Sequence, residues 1–198
     1  MRCVIKLGGS LHVDPILKVW LDMLVEYGAG KVVIVPGGGL FADAVRSAQQ
    51  VWNFDDVTAH RMALLAMGQY ALQLQAIQPA LIGANSLAAI ENALQANQIP
   101  IWLPNAMVSV ASEIPATWNI SSDSLAAWLA HQMHATQLIL VKTCDVDADL
   151  SVTDLASDGI VDVCFAEMIR GRNFAVDVVS KNEWQRVREM LVKKAISR

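Results

Sequence analysis

The chain of 198 residues is 54% hydrophobic and 17% charged, with a formal charge of −4. Those values suit one well-buried domain and exclude a disordered chain. They also give no basic block for nucleic acid, no apolar run near the roughly 18 residues of a membrane span, and no basic-then-apolar leader, so a cytoplasmic protein is expected. Cys3, Cys144 and Cys164 are widely spaced and form no C-x-x-C pair, which reads as reduced thiols rather than a disulfide or zinc framework. The low charge and six tryptophans favour surface buried in a homo-oligomer.

The run Cys3-Val4-Ile5-Lys6-Leu7 predicts a short strand covered on both faces. Lys6 is its exception, since a buried cation is costly unless an anion meets it. Gly8, Gly9 and Ser10 follow at once, and glycines let a backbone approach a ligand and offer N–H groups to phosphate. A snorkelling lysine before an ordinary glycine turn accounts for the same residues. Asp14-Pro15 starts a helix with Leu17, Trp20, Leu21, Leu24 and Val25 at helical spacing, ended by Gly28 and Gly30. Residues 31–35 form a second strand, closed by Pro36 and Gly37-Gly38-Gly39, and a helix covers 40–51. Strand, helix, strand, helix argues for a parallel sheet with crossovers.

Asp55 or Asp56 caps a long helix to about Ile77, which Pro79 ends, and residues 80–82 give a short strand. A helix from Asn85 or Ser86 through Leu94 precedes a strand over 99–103. Residues 105–119 lack a clear period and are expected to form a loop, with room for a short strand. Ser121 caps a helix with Leu125, Ala126, Leu129 and Met133 on one face, and Gln137–Val141 is a further buried strand. From Lys142 to about Gly159 the chain is polar and irregular, expected as a surface loop or lid. A short helix over 165–169, a strand over 175–179 and a helix over 182–193 close one α/β domain spanning 1–198.

Gly37, Gly39 and Ala42 fit the G-x-G-x-x-A dinucleotide fingerprint, but Asp55 and Asp56 open a helix where that fingerprint wants an acid ending the next strand. The P-loop pattern is absent. What remains is a helix N-terminus rich in N–H groups, a generic anion site. Lys142 repeats the situation of Lys6, ending a buried strand before Thr143, Asp145 and Asp147. Parallel strands bring their C-terminal ends to one edge, where open α/β sheets bind ligands, so Lys6, Gly37–Gly39 and Lys142 converge there. Asp123, in the first turn of its helix, either complements the helix dipole or orients the lysines for phosphate. Arg46 can reach an anion or stay solvated. His60, beside Arg61, reads as a surface or satisfied residue more often than as a ligand.

Taken together, Lys6-Leu-Gly-Gly-Ser10, Pro36-Gly-Gly-Gly39, Ser122-Asp-Ser-Leu-Ala-Ala127 and Val141-Lys-Thr-Cys-Asp-Val-Asp147 resemble, in order and setting, the amino acid kinase superfamily. That group includes acetylglutamate, aspartate, uridylate and isopentenyl phosphate kinases. Pro36–Ala42 with Val45-Arg46, the region of His60, and Thr117–Leu125 resemble its methanofuran-biosynthesis branch, which phosphorylates (5-(aminomethyl)furan-3-yl)methyl phosphate to the diphosphate.

The resemblance implies a three-layer αβα sandwich with a mostly parallel sheet, the carbamate kinase-like fold. It implies ATP and Mg2+ as cofactors, with the magnesium held mainly by ATP, and a small phosphomonoester as substrate. Lys6, Asp123 and Lys142 would be catalytic. Gly8, Gly9, Ser10, Thr143, Asp145 and Asp147 would lie on the nucleotide, and Gly37, Gly38, Gly39, Arg46 and His60 on the acceptor. Three departures stand out. Ala148 replaces a common glycine, the usual Asp-Pro of the nucleotide loop is missing, and the region from Leu150 to Arg172 is short. A further nucleotide-side lysine is not evident, leaving Lys142, Arg170 or Arg172 to substitute. A carboxylate or carbamate acceptor, or a non-catalytic binding role, are the other readings.

Overall fold

The computed structural model describes residues 2–147 and 149–196. Its centre is a sheet of β1 (Cys3–Leu7), β2 (Val32–Pro36), β3 (Leu81–Ala84), β4 (Ile99–Trp102), β5 (Gln137–Lys142) and β6 (Ala175–Ser180). The order is β3-β4-β2-β1-β5-β6, and each pairing is parallel. The chain builds outward from β1 on one side, then returns to place β5 on the other. β1 and β5 therefore flank the switch point of the sheet, where a crevice opens at the carboxyl edge.

Period-two alternation divides each strand between two cores. Val4, Leu138 and Leu140 enter one, while Ile5, Ile139 and Val141 enter the other. Helices cover both faces. α1 (Ile16–Gly28) and α9 (Trp184–Ile196) supply the second core through Trp20, Leu21, Leu24, Val187 and Leu191. α4 (Leu87–Gln95), α5 (Asn105–Val108), α6 (Ser122–Gln132), α7 (Val152–Ser157) and α8 (Phe165–Ile169) supply the first. α3 (Asp56–Ile77) serves both, with Leu64 and Met67 in one core and Tyr70, Ala71 and Leu74 in the other. α2 (Gly39–Trp52) packs along α3. The result is the expected three-layer sandwich. Among the described residues no helix is long and apolar enough to cross a membrane.

Capping places the helix starts. The Ile16 N–H donates to Asp14 at 3.0 Å and the Thr58 N–H to Asp55 at 2.7 Å. Ser86 accepts from the Ala89 N–H at 3.2 Å, and Ser121 from the Asp123 N–H at 3.2 Å. Each satisfies a donor the helix leaves unpaired, typically for about 1 kcal/mol.

Two expectations are corrected. The segment 105–119 contains no strand among the described residues; it begins with α5, whose N-cap is Pro104. The polar stretch after Lys142 contains α7, started by a reciprocal capping box between Ser151 and Asp154. That Ser-x-x-Asp spacing is itself a helix signal, hidden by a polar composition. α1 buries Met23 while Val25 stays half-buried, and α9, preceded by a 3-10 turn over Lys181–Glu183, buries Val187 and Leu191 with Met190 half-buried.

Candidate active site

Lys6 lies two residues beyond Val4 and Lys142 two beyond Leu140, so pleat parity turns both side chains toward the face that α6 covers. The first turn of α6 carries Asp123 between them. The Lys6 ammonium stands 2.7 Å from Asp123 Oδ1, and Lys142 Nζ donates to Oδ2 at 2.6 Å. Among the described residues Oδ1 has no partner besides the Lys6 ammonium, and opposite charges at that distance in a dry site interact strongly. Lys6 is 5% and Asp123 3% exposed.

Burial pushes the Asp123 carboxyl up, but Lys6 and Lys142 outweigh that and hold it below the usual carboxylate range. Burial first, and Lys6 second, pull the Lys142 ammonium down to about 8, with Asp123 opposing. Lys6 and Lys142 share the Asp123 carboxylate, and Asp162 also acts on Lys142. An incoming polyanion would add further negative charge facing the two ammoniums.

Asp123 is itself held from outside α6. Asp162 accepts from the Ser121 N–H (3.0 Å) and hydroxyl (2.7 Å), and from the Ser124 N–H (3.0 Å) and hydroxyl (2.5 Å). Nothing in the sequence marks Asp162, which is separated from Ser124 by 38 positions and belongs to no motif.

The two glycine turns interlock. A Cβ on Gly9 would stand 2.2 Å from the Gly39 nitrogen, and one on Gly37 2.3 Å from the Gly9 nitrogen. Gly39 also has φ +54°, in the left-handed region that favours glycine. Turn-on-turn packing, rather than approach to a ligand, therefore requires glycine here. The Gly8 N–H donates to the Val141 carbonyl (3.2 Å) and the Gly37 N–H to the Leu7 carbonyl (3.0 Å), which engages both at the sheet edge. Gly9, Ser10, Gly39 and Leu40 instead open helical turns, whose first N–H groups have no partner within the turn.

A cavity of about 380 Å³ lies beside these turns. Of the residues expected to bind ligands, Gly9, Ser10, Gly38, Gly39, Arg46 and His60 border it; Gly8, Gly37, Thr143, Asp145 and Asp147 do not. His12, Asp43, Asp56, Trp118, Ser121 and Ser122 also border it, and sequence reasoning did not single them out as ligand contacts. The Arg46 guanidinium stacks 4.5 Å from the Trp118 ring centroid, and Trp118 Nε1 donates to Gln49 Oε1 at 2.6 Å. Burial pulls the His60 imidazole below its ordinary value, which favours the neutral ring at pH 7.

Thr143, Asp145 and Asp147 continue from the end of β5. Asp145 accepts from the Ser180 hydroxyl at 3.2 Å and Asp147 from the Asp149 N–H at 3.0 Å. Ala148 lies outside the described residues. Arg170 and Arg172 are exposed beyond α8, with Arg172 Nε donating to the Met168 carbonyl at 3.3 Å.

Lys6, Asp123 and Lys142 do not border the cavity, whose wall carries Arg46, Asp43 and Asp56; the positive charge suited to a polyphosphate is that of the two lysines around Asp123. Among the described residues no three His, Cys, Asp or Glu side chains gather as metal ligands, and both oxygens of Asp123 already face ammoniums. A divalent cation entering with phosphate oxygens would suit that donor set.

The model of the amino acid kinase family matches residues 1–156. Over 203 aligned residues the chain is 25% identical to [5-(aminomethyl)furan-3-yl]methyl phosphate kinase of Methanocaldococcus jannaschii, covering 95% of this chain and 92% of that protein. Uridylate kinase from Archaeoglobus fulgidus has the same fold, with a TM-score of 0.72 at 16% identity over 97% of this chain and 96% of that one. UMP kinase from Bacillus anthracis gives 0.71 at 17% identity, over 97% and 92%. Because the family match takes in both lysines, Asp123 and both glycine turns, the chain belongs to the amino acid kinase family and is a kinase.

Proposed function

We propose that the chain transfers the γ-phosphoryl group of ATP to a small phosphomonoester, the favoured acceptor being (5-(aminomethyl)furan-3-yl)methyl phosphate, and releases the diphosphate and ADP. The observation that carries this reading is the pair of buried lysines bridged by Asp123, whose chain neighbour Ser122 borders a cavity sized for a small molecule. The acceptor is supported by the relative from Methanocaldococcus jannaschii, whose name states that substrate. A phosphomonoester oxygen is already anionic, so the nucleophile needs no general base. It forms the new P–O bond as the β,γ-bridging P–O bond breaks and ADP leaves with that electron pair. Such a transfer requires mainly alignment and positive charge around the equatorial oxygens.

In this reading Lys6 faces the moving phosphoryl group and Lys142 the nucleotide phosphates, while Asp123 keeps the two ammoniums apart and oriented. Gly8–Ser10 cradle the nucleotide phosphates, with Thr143, Asp145 and Asp147 against the nucleotide. Gly37–Gly39, Arg46 and His60 hold the acceptor. Magnesium bound to ATP would offset phosphate charge. The test is purified protein with ATP and magnesium against a panel of phosphomonoesters and carboxylates, with product detected by mass. Diphosphate from the aminomethylfuran phosphate is expected. Transfer to carboxylates alone, or tight ATP binding without transfer to any acceptor, overturns the proposal.

We also propose a single catalytic domain that pairs with a second copy. Val57, Leu65 and Leu72 of α3 are 50%, 54% and 64% exposed at a spacing that aligns them on one helix face. Sedimentation should give a dimer or larger assembly, and Leu65→Asp a smaller one. The free thiols of Cys144 and Cys164 support a reducing, cytoplasmic setting.

A further inference from the structure

The connection between α7 and α8 reaches back to α6 through one side chain. Asp162 takes four hydrogen bonds from Ser121 and Ser124 and a fifth from the Cys164 N–H at 3.2 Å. Ser124 is fully buried. A helix start needs less than this. Ser121 alone caps α6 by accepting the Asp123 N–H, and one such cap meets the ordinary requirement.

The surplus falls on the residues either side of Asp123. Displacement of that turn by about 1 Å would carry the carboxylate out of hydrogen-bond range of contacts now at 2.7 and 2.6 Å. Ser121 and Ser122 border the cavity, whereas Asp162 belongs to the segment that follows β5. Its carboxylate thus ties the β5 side of the cleft to the turn that carries Asp123.

We propose that Asp162 is a positioning residue for phosphoryl transfer, setting the turn that holds Asp123 between Lys6 and Lys142 and adding a second negative charge near Lys142. The groups acting on Lys142 are Lys6 from β1, Asp123 from α6 and Asp162; Lys6 favours loss of its proton and the two carboxylates favour retention. The kinetic readout of this inference rests on the transfer reading above, and the spectroscopic readout does not.

The test compares full-length protein with Asp162→Asn, which keeps the shape and removes the charge, and Asp162→Glu, which restores it. Lys142 is titrated by heteronuclear NMR of its side chain, with Lys142→Arg identifying the signal. In Asp162→Asn the Lys142 midpoint should fall and kcat should drop by about tenfold or more with acceptor KM within about threefold; Asp162→Glu should recover the midpoint. A lowered Tm with midpoint and kcat unchanged overturns the proposal and leaves Asp162 as a cap. If Asp162→Asn does not fold, Ser124→Ala takes its place, since it removes one bond and keeps the charge. A kcat loss of about threefold then supports the proposal and an unchanged kcat overturns it. If the wild type transfers to no acceptor, the functional reading fails, while the Lys142 titration still decides the role of Asp162.

Discussion

On the cavity side of the Lys6–Asp123–Lys142 bridge, backbone meets backbone. Cβ atoms at Gly9 and Gly37 would stand within 2.2 and 2.3 Å of the facing turn, and the Arg46–Trp118 stack borders the pocket. On the β5 side the chain leaves Lys142 as a polar stretch with Cys144, Asp145 and Asp147 exposed, tied down by a few hydrogen bonds. The first side is preorganised and can select an acceptor by shape. On the second, Lys142 supplies positive charge while Asp145 and Asp147 oppose it, so an anion there would depend on that one ammonium.

Substitutions should separate the two sides, and the bridge they share should be the most sensitive. Lys6→Ala is expected to lower kcat by at least about a hundredfold, roughly 2.7 kcal/mol of transition-state stabilisation; steady-state kinetics near the wild-type value would remove Lys6 from its role. Gly9→Ala forces the two turns apart and should cost about 2–4 kcal/mol in urea unfolding, with acceptor KM rising. Asp145→Ala, on the other side, should stay within about 1 kcal/mol. Equal costs at the two positions would erase the contrast.

Lys142 gives a pH signature. With its ammonium at about 8, kcat/KM should fall above that pH as the charge is lost, and Lys142→Arg should move the alkaline limb upward. Stability runs the other way. The folded value of about 8 lies below the ordinary 10.5, so the unfolded chain binds more protons across that window and stability rises with pH through it. A stability curve that instead fell over that range would contradict the assignment. Smaller still, Trp118→Ala should raise acceptor KM by about tenfold through loss of the stacked wall and leave the KM for ATP unchanged. Asp145→Asn should change the KM for ATP by about threefold or less.

Much of the architecture was legible in the residues. Strands buried on both faces leave continuous Val and Ile runs, and β1, β2 and β5 were placed within a residue at each end. Asp55 or Asp56, Asn85 or Ser86, and Ser121 announce three helices, because a capping side chain acts on donors two or three residues away; the structure selects Asp55 and Ser86 from the first two pairs. Ser151 and Asp154 act over the same range, yet the stretch reads as a loop because no long apolar stripe follows them. In the site, Lys6 and Lys142 were conspicuous as cations ending apolar strands. Asp162, Trp118 and the cavity residues His12, Asp43 and Asp56 were not, since their partners are distant in sequence and each residue has an ordinary reading alone. The glycines were noticed for ligand approach, while the contact that requires them comes from the opposite turn.

The sequence by itself determined the parity of the strands. Counting by twos puts Lys6 on the face of Val4 and Lys142 on the face of Leu140, because pleating is a local property of the backbone, while the pairing of β1 with β5 makes those one face. Only the tertiary structure decided that Asp123 stands 2.7 and 2.6 Å from them, that Asp162 buttresses that turn, and that the segment 117–122 borders the cavity. Those positions depend on how α6 seats on the sheet. Packing of many side chains sets that seating, and no short stretch of residues encodes it alone.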